Sequence, residues 1–600
     1  MPPTIKALVV DLGDVLFSWQ PPTDGKVSKD LLKRAMSTKP WYDFERGTLS
    51  EEDCYLQIEA LLSIPSGDLA DTIKQAKLSL QPDGQILSML KDVKDTSNGE
   101  IKVYLMSNIS QPHWEYVQSM QWERTLFDQI FTSANAKMRK PDLCFYKHVL
   151  KSVGLSNSPS SALFIDDKLE NVCSARAVGM QGLIFDNAAN IVQRVQNLLG
   201  NPVKRGMDYL HTNAKQLHTT CTTPTHQNID MKENFAQLLI LEATGDKSLV
   251  AFRDYHLLWN FFQDQPILTT ATFPNDYDTT SLALTILDGY HPPDVIAQIL
   301  DASLANQSAD HLPLVYDDPS RPRFDPVVCV HIYTLFHLHH RGHEMAPTWK
   351  YIVDFLRFRA YEQGTYYYAP PEYFLYALAR LVFYCRERGV ALPSISKSST
   401  STPSPNPNQN QTSNCNSFLT LLRTRCQDHL LTTTSSPTPK NAISLALHLI
   451  ASVISGIPAT NPHLQASAQR LRSLQEVDGG WPWCEIYRAP GAKAGIGSRG
   501  VVTGFAVWAL RLMSEKDEHS GNWAAESVVG GEVKSDGSGW SSIWNWNPLS
   551  RLRSWGEQRR LKLSTAMAMT TGFKDMLLGG MTWTSLKTSV YKLDLRSIAL

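Results

Sequence analysis

Short β-rich runs alternate with helical stretches through the first 200 residues, and this alternation constrains the fold more than any other feature. The runs are Ile5–Val10, Ile101–Met106, Ala162–Ile165 and Leu183–Phe185. Such a pattern is typical of a parallel sheet with crossover helices. Residues 22–95 have amphipathic helical character broken by Pro and Gly, which indicates a helical insert after the first strand. The sequence therefore predicts a doubly wound α/β domain over residues 1–200.

Asp11 lies at the carboxyl end of the first strand, the edge at which doubly wound sheets bind ligands. Three further polar motifs follow at later strand ends. The four motifs are Val9-Val10-Asp11-Leu12-Gly13, Ser107-Asn108, Lys140-Pro141 and Phe164-Ile165-Asp166-Asp167-Lys168-Leu169-Glu170-Asn171. In this order they resemble the motifs of haloacid-dehalogenase-like (HAD) hydrolases. The resemblance implies a HAD-like domain with a helical cap.

The same resemblance implies a magnesium-dependent phosphatase site. Asp11 would be the nucleophile that attacks phosphorus, beside a metal that partly neutralises the phosphate. The implied phosphate-binding residues are Ser107, Asn108 and Lys140. The implied Mg²⁺ site consists of Asp11, the Gly13 carbonyl, Asp166, Asp167 and Glu170, with Asp166 and Glu170 either ligating the ion or lying just behind its ligands.

Gly13 departs from the family pattern. Most HAD phosphatases carry an Asp two residues after the nucleophile, and that Asp protonates the leaving group. Here Gly13 takes that place and Asp14 follows it. Turnover is expected to persist but to be slower. Because fold does not imply function, Gly13 also motivates an alternative in which the domain is an inactive scaffold.

The remainder of the chain has almost wholly helical periodicity, from about 230 to 390 and from 440 to 515. Within it, Asp276 and Asp278 precede Thr279, Thr280 and the apolar run 282–287. Protonating an isolated alkene requires a strong acid in a dry cavity, and a carboxylic acid flanked by a second carboxylate and hydroxyl groups is one such device. Turns and helix caps use the same residue types, so the pair alone is also compatible with a structural role.

This segment resembles the Asp-x-Asp-Thr-Thr acid motif of class II terpene cyclases. About 200 residues later, Gln475, Gly479 and Trp481 fit the Gln-x-x-x-Gly-x-Trp pattern found at helix ends in their α-barrel domains. Its physical sense is a capped helix end, with Gly in a left-handed turn and Gln and Trp joining adjacent helices. The resemblance implies a helical barrel over residues 231–515. Asp278 would be its general acid, supported by Asp276, Thr279 and Thr280.

A HAD domain joined to such a barrel resembles the HAD-like terpene cyclases of drimane sesquiterpene biosynthesis. The implied substrate is farnesyl diphosphate. Protonation would cyclise it to a drimanyl diphosphate, and Mg²⁺-dependent dephosphorylation would give an alcohol of the albicanol or drimenol type. Two alternatives remain. One is a cyclase that releases the diphosphate, and the other is a HAD phosphatase whose helical domain only binds.

Composition limits the other classes of function. The 600 residues carry a net charge of −1 with only 19% charged residues, so a nucleic-acid partner is not expected. Nine cysteines without a CxxC pair are typical of reduced thiols in the cytoplasm. The longest apolar stretch, about 442–457, is too short and too polar to span a membrane, and no stable membrane insertion is expected. Homodimer formation is left open.

Three further segments complete the predicted organisation. Residues 201–230 are interpreted as an inter-domain linker. An insertion over about 394–440 is rich in Ser, Thr, Pro and Asn around a short helix, and is expected to be disordered. Residues 516–600 mix Gly, Ser and Trp with a basic run, and no structure or function is assigned to them.

Overall fold

The computed structural model describes residues 4–20, 25–253, 255, 257–395, 418–430, 441–489, 491 and 493–514. The chain divides into two compact units, with the boundary between Asn201 and Pro202. The predicted tail over 516–600 lies outside the described residues, as does most of the predicted insertion over 394–440. The short helix expected inside that insertion is present at 418–430.

The first unit is built on a parallel sheet with strand order β5-β4-β1-β6-β7. Its strands are β1 (Ala7–Val10), β2 (Phe17–Ser18), β3 (Gln81–Pro82), β4 (Lys102–Ser107), β5 (Gln129–Thr132), β6 (Ala162–Asp166) and β7 (Gln181–Ile184), of which β2 and β3 form a separate small ladder. Its helices are α1 (Lys29–Ala35), α2 (Lys39–Glu45), α3 (Glu51–Leu62), α4 (Asp68–Leu78), α5 (Gly84–Thr96), α6 (Gln111–Ser119), α7 (Ser133–Ala136), α8 (Leu143–Ser152), α9 (Leu169–Ala177) and α10 (Ala188–Leu199), with 3₁₀ turns at Arg124–Leu126 and Pro159–Ser161. This architecture confirms the predicted α/β fold.

The helical cap is shorter than the sequence pattern indicated. Helices α1 to α4 enclose a small core of their own, which includes Trp41, Phe44 and Ile58. Helix α5, which the 22–95 insert had included, instead packs in the same core as β1 and β4 through Ile86 and Leu90. It is therefore a crossover helix of the sheet. Strand β5 was not predicted.

The second unit is mainly helical. Its helices are α11 (Pro202–Thr212), α12 (Asn234–Thr244), α13 (Tyr277–Ile286), α14 (Pro293–Ala305), α15 (Pro326–Leu338), α16 (Ala346–Arg357), α17 (Glu372–Glu387), α18 (418–430), α19 (Ala442–Ile454), α20 (Pro462–Ser473) and α21 (Arg499–Ser514), with 3₁₀ turns at Lys247–Leu249 and Gly342–Met345. Its strands are β8 (Thr219–Thr222), β9 (Ile229–Met231), β10 (Glu485–Ala489) and β11 (Ala494–Gly497), which form an antiparallel sheet in the order β10-β11-β8-β9.

Six of these helices form a closed ring. Each of α12, α13, α15, α17, α19 and α21 packs against the next, and α21 packs against α12. Their residues are buried on almost every side, which explains why these segments are apolar all round instead of amphipathic. The ring confirms the predicted helical barrel.

A polar cluster crosses the ring. Glu242 on α12 accepts hydrogen bonds from Tyr376 at 2.6 Å and Tyr384 at 2.8 Å, and pairs with Arg380 at 2.5 Å. These three residues lie on α17, which is not a neighbour of α12 in the ring, and all four side chains are buried. The cluster fixes two opposing walls of the barrel.

The predicted linker over 201–230 is instead part of the second unit. It contains α11 and β8, and α11 packs against α21. The Gln-x-x-x-Gly-x-Trp motif makes this attachment. Gln475 donates to the Pro202 carbonyl at 2.9 Å, and Gly479 has a φ of +89° with the Arg205 carbonyl 2.4 Å from where a Cβ would lie. The motif is thus the capped helix end that the sequence predicted, and only glycine fits at its turn.

Candidate active sites

The carboxyl edge of the parallel sheet brings together residues from the first, second and fourth HAD motifs. Asp11 directly follows β1, while Ser107 ends β4 and Asp166 ends β6. Strand β1 pairs in register with both β4 and β6, so these three positions lie side by side. All three residues are buried. The geometry is that of a ligand site at the end of a doubly wound sheet.

Lys140 joins the two acidic motifs. Its Nζ lies 2.7 Å from Asp11 Oδ1 and 2.7 Å from Asp166 Oδ2, and its side chain is 1% exposed. Asn108 fixes this lysine, because its amide donates to the Lys140 carbonyl at 2.8 Å and its carbonyl oxygen accepts from the Lys140 N–H at 2.8 Å. Asn108 thus orients Lys140. The sequence had predicted a phosphate contact for Asn108 and not this role.

Three carboxylates at this edge fit a divalent cation. Oxygens of Asp11, Asp166 and Asp167 lie within 4.8 Å of one another, and Asp167 Oδ1 is buried without a hydrogen-bond partner. Burial, together with the charge of Asp166, raises the pKa of Asp167 to about 6. A bound cation would give that oxygen a partner and favour the ionised carboxylate. Oxygen ligands of this kind suit Mg²⁺.

Two further residues, Glu170 and Gly13, were predicted as metal ligands. Glu170 is exposed in the first turn of α9 and is not part of the carboxylate group found among the described residues. Gly13 lies in the loop after β1, where it bridges to Phe17, and a Cβ built on it would meet no atom within 4 Å. The position that usually carries the acid is therefore open space. Metal ligation by Glu170 and by the Gly13 carbonyl therefore stays a prediction.

A groove of about 170 Å³ adjoins the same edge. Gly13, Ser107 and Asn108 line it together with cap residues such as Trp41 and Ile73. Most of the groove surface is apolar. A phosphate at the sheet edge could therefore carry an apolar organic group that lies in this groove.

The Asp-x-Asp-Thr-Thr segment forms the start of α13. Asp276 is the N-cap, and its Oδ1 accepts from the Thr279 N–H at 2.6 Å. Thr280 Oγ1 donates to the Asp276 carbonyl at 2.6 Å and accepts from the Trp259 N–H at 2.8 Å. Thr280 therefore has a structural role. The cap leaves Asp278 in the first turn of α13, so the capping role of Asp276 is compatible with the acid role predicted for Asp278.

Asp278 is held by two residues that the sequence did not single out. Its Oδ1 lies 2.7 Å from His331 Nδ1 on α15, and its Oδ2 accepts from the Tyr368 hydroxyl at 2.5 Å. His331 and Tyr368 are both buried. A histidine inside the otherwise apolar α15 was the only local signal for this contact. Contacts to both oxygens fix the orientation of the Asp278 carboxyl group at the cavity wall.

Asp276 retains a proton. Complete burial, together with the charge of Asp278, raises the pKa of Asp276 to about 8. Its Oδ2 is buried without a hydrogen-bond partner, as is Thr279 Oγ1. At neutral pH the pair therefore holds a proton, and Asp276 adds no negative charge beside Asp278.

Both carboxyl groups line a cavity of about 650 Å³. Its walls include the rings of Phe235, Phe261, Phe273, Tyr316, Tyr368 and Tyr487. The volume lies in the range of small-molecule sites, and aromatic faces attract cations. The arrangement can accept a largely apolar ligand, protonate it and stabilise the resulting cation.

In the described part of the chain, no helix has the length and apolar character needed to cross a bilayer.

Comparison with known proteins identifies relatives of each half. A 197-residue stretch is 40% identical to the sesquiterpene phosphatase astK of Aspergillus oryzae and covers 33% of this chain and 98% of that protein. A HAD-like family hydrolase from Porphyromonas gingivalis matches 33% of this chain and 100% of its own with 19% identity and a TM-score of 0.26. The family model described as the sesquiterpene cyclase astC-like C-terminal domain matches residues 203–339.

One relative spans both units. Drimenol cyclase drtB of Aspergillus calidoustus is 35% identical over 553 residues, which is 92% of this chain and 95% of that protein. This similarity runs through the acid motif and most of the rest of the chain. The chain belongs to the family of HAD-like terpene cyclases that includes drimenol cyclase drtB.

Proposed function

We propose that this protein cyclises farnesyl diphosphate to a drimanyl diphosphate and then removes the phosphates to give a drimane alcohol. The observation that carries the first step is the Asp278 carboxyl group in an aromatic-lined cavity of about 650 Å³, held by Tyr368 and His331. Membership of the same family as a drimenol cyclase supports the same reaction.

In the cyclase cavity, the proton retained by the Asp276–Asp278 pair is transferred through Asp278 to the terminal alkene of the substrate. Two ring closures follow as each remaining alkene attacks the adjacent cation, and loss of one proton from the bicyclic cation gives a neutral hydrocarbon skeleton. The diphosphate remains attached throughout. Aromatic faces such as those of Phe235 and Tyr487 stabilise the passing cations, and the cavity limits their capture by water.

In the HAD unit, Asp11 is the nucleophile. Its carboxylate attacks a phosphorus atom, the bond to the leaving oxygen breaks, and water later hydrolyses the phospho-aspartate. Lys140 neutralises charge next to this carboxylate, and Asn108 keeps Lys140 in place. When bound by Asp11, Asp166 and Asp167, Mg²⁺ would supply charge neutralisation for the phosphate. Ser107 is proposed as a phosphate contact.

The groove beside Gly13 supports a phosphatase that acts on a terpenyl phosphate. Its apolar lining matches a bicyclic hydrocarbon, and the sesquiterpene phosphatase astK is among the relatives. Removal of the outer phosphate expels a phosphate monoester, which leaves without an acid more easily than an alkoxide does. Gly13 therefore affects chiefly the second dephosphorylation.

We place the reactions in the cytoplasm, because the eight described cysteines are all free thiols.

A second candidate function is a cyclase that releases the bicyclic diphosphate. The open space at Gly13, where most HAD phosphatases carry an acid, favours it. Incubation with farnesyl diphosphate and Mg²⁺, followed by mass spectrometry, separates the functions. A bicyclic alcohol supports the proposal, a bicyclic diphosphate supports the cyclase alone, and linear farnesol refutes cyclisation. Asp11→Asn should convert the alcohol product into the bicyclic diphosphate, and Asp278→Asn should abolish all bicyclic products. The Asp11→Asn result also excludes a contaminating phosphatase, which would leave alcohol formation unchanged.

A further inference from the structure

The cavity that contains the acid pair also contains three arginines, which alkene protonation does not require. Arg321, Arg323 and Arg488 all line it. The first two lie in the loop between α14 and α15, and the third lies on β10. Two separate segments of the second unit thus contribute arginines to the lining of one cavity.

Charge changes sign along the depth of this cavity. Asp276 and Asp278 are 4% and 9% exposed. By contrast, Arg323 and Arg488 are exposed and Arg321 is half-buried. The acids therefore occupy the deep end, and the arginines occupy the end that is open to solvent.

Tyrosines connect the two segments that carry the three arginines. The Arg321 guanidinium lies 5.7 Å from the centre of the Tyr316 ring, and the Tyr316 hydroxyl donates to the Tyr367 hydroxyl at 3.0 Å. The Arg323 guanidinium lies 5.8 Å from the centre of the Tyr366 ring, and the backbone N–H of Arg488 donates to the Tyr367 carbonyl at 2.7 Å. Arg321 also donates to Thr270 Oγ1 at 2.6 Å. Contacts with Tyr316, Tyr366 and Tyr367 thus bring the two arginine-bearing segments together before any ligand binds.

Their own counter-ions are weak. Arg321 pairs with Asp318 at 3.2 Å and Arg488 pairs with Glu485 at 3.0 Å, both near solvent, where such pairs contribute little. Among the described residues, no carboxylate lies within ion-pair distance of Arg323. The cavity mouth therefore has one cation more than these anions, and a multiply charged ligand would compete well for all three.

We propose that Arg321, Arg323 and Arg488 form the binding site for the diphosphate of the cyclisation substrate. The proposal rests on the function proposed above. Guanidinium groups bind phosphate oxygens through paired, charge-assisted hydrogen bonds. Since the deep end carries carboxyl groups and apolar rings, the substrate enters hydrocarbon first. This orientation directs the alkene farthest from the diphosphate to Asp278.

The test uses the full chain carrying Asp11→Asn, so that the diphosphate is not hydrolysed. In this parent, Arg321→Ala, Arg323→Ala and Arg488→Ala are made singly and together, and cyclisation of farnesyl diphosphate is followed by mass spectrometry. Arg357→Ala is the matched control, because Arg357 pairs with Asp354 on α16 and does not line the cavity. Inorganic pyrophosphate is the probe, both as an inhibitor and in calorimetric binding.

We expect KM to rise about tenfold or more in each single variant, the loss typical of one charge-assisted hydrogen bond. kcat should change little, because the diphosphate makes the same contacts before and during protonation. Inhibition by pyrophosphate should weaken in parallel, while Arg357→Ala stays at the parent value. KM and pyrophosphate inhibition within twofold of the parent in all three would overturn the proposal. If the triple variant does not fold, the single Arg323→Ala variant decides, since Arg323 is exposed and its guanidinium makes no ion pair among the described residues.

A failure of the proposed function gives a different result. The Asp11→Asn parent would then form no bicyclic diphosphate. Calorimetry still tests the arginines in that case, because a binding event for pyrophosphate present in the parent should be lost in the triple variant. Retention of every binding event would refute the site.

Discussion

Replacing Asp276 by Asn should stabilise the protein at neutral pH while removing cyclisation. The side chain is fully buried, and burial together with the charge of Asp278 raises its pKa from 3.8 to about 8. At pH 7 the unfolded chain therefore carries an ionised Asp276 that must take up a proton to fold. Asn has nearly the same shape, still caps α13 through its side-chain oxygen, and needs no proton.

The size of this effect follows from the two pKa values. Between 3.8 and 8 the folded state binds one proton more than the unfolded state, so stability falls as pH rises through that window. Each pH unit corresponds to about 1.4 kcal/mol, which gives a cost of about 4 kcal/mol at pH 7 and about 2 kcal/mol at pH 5. Asp276→Asn removes that cost. Its advantage over the wild type should therefore be about 2.5 to 3 times as large at pH 7 as at pH 5.

Urea denaturation monitored by near-UV circular dichroism, at pH 5 and pH 7, measures this difference in the transition of the second unit. Asp278→Asn at pH 7 is a useful comparison, because it removes the neighbouring charge that helps to raise the pKa of Asp276. The reasoning is refuted if Asp276→Asn changes stability equally at both pH values. It is also refuted if the variant is less stable than the wild type at pH 7.

Four further predictions follow from the sites. In the Asp11→Asn parent, cyclisation should decline as pH rises above about 8, because the acid pair then loses its retained proton; a flat profile to pH 9 would contradict the pKa of Asp276. Tyr368→Phe should lower the cyclisation kcat about 10- to 100-fold, since it removes a hydrogen bond to a carboxylate, and should leave hydrolysis of farnesyl monophosphate unchanged. Gly13→Asp should accelerate that hydrolysis on the order of 100-fold by restoring an acid for the alkoxide, whereas Gly13→Asn should not. Mixing Asp278→Asn protein with Asp11→Asn protein should restore alcohol formation, because each supplies the step that the other lacks; no alcohol from the mixture would indicate obligatory transfer within one chain.

Local sequence patterns were enough to predict the parts of each site that are contiguous in the chain. Asp276 and Asp278 follow from one short motif, and Asp11 follows from the end of one strand. The contacts that hold the Asp278 carboxyl group are not local. His331 and Tyr368 lie 53 and 90 residues after Asp278, and the only local signal for these contacts is a histidine within a mostly apolar helix.

The same limit applies to the fold. The ring helices are 10 to 16 residues long and rich in apolar residues, which made their helical character predictable from the sequence. Strands β8 to β11 are short and pair across most of the second unit, with β11 joined to β8 in the sheet. Their pairing depends on partners far apart in the sequence, and residues 201–230 consequently read as a linker.

Closure of the helical ring by α12 and α21 has a consequence for biosynthesis. The ribosome delivers α12 and the acid motif more than 200 residues before α21 (Arg499–Ser514), so the cavity wall remains open during most of translation of the second unit. The first unit, whose sheet is complete by β7, can fold well before that point. Before α21 has left the ribosome, the nascent chain should therefore have a folded first unit but no closed cyclase cavity. During this part of translation, the apolar faces of the ring helices are the surfaces that chaperones would need to cover.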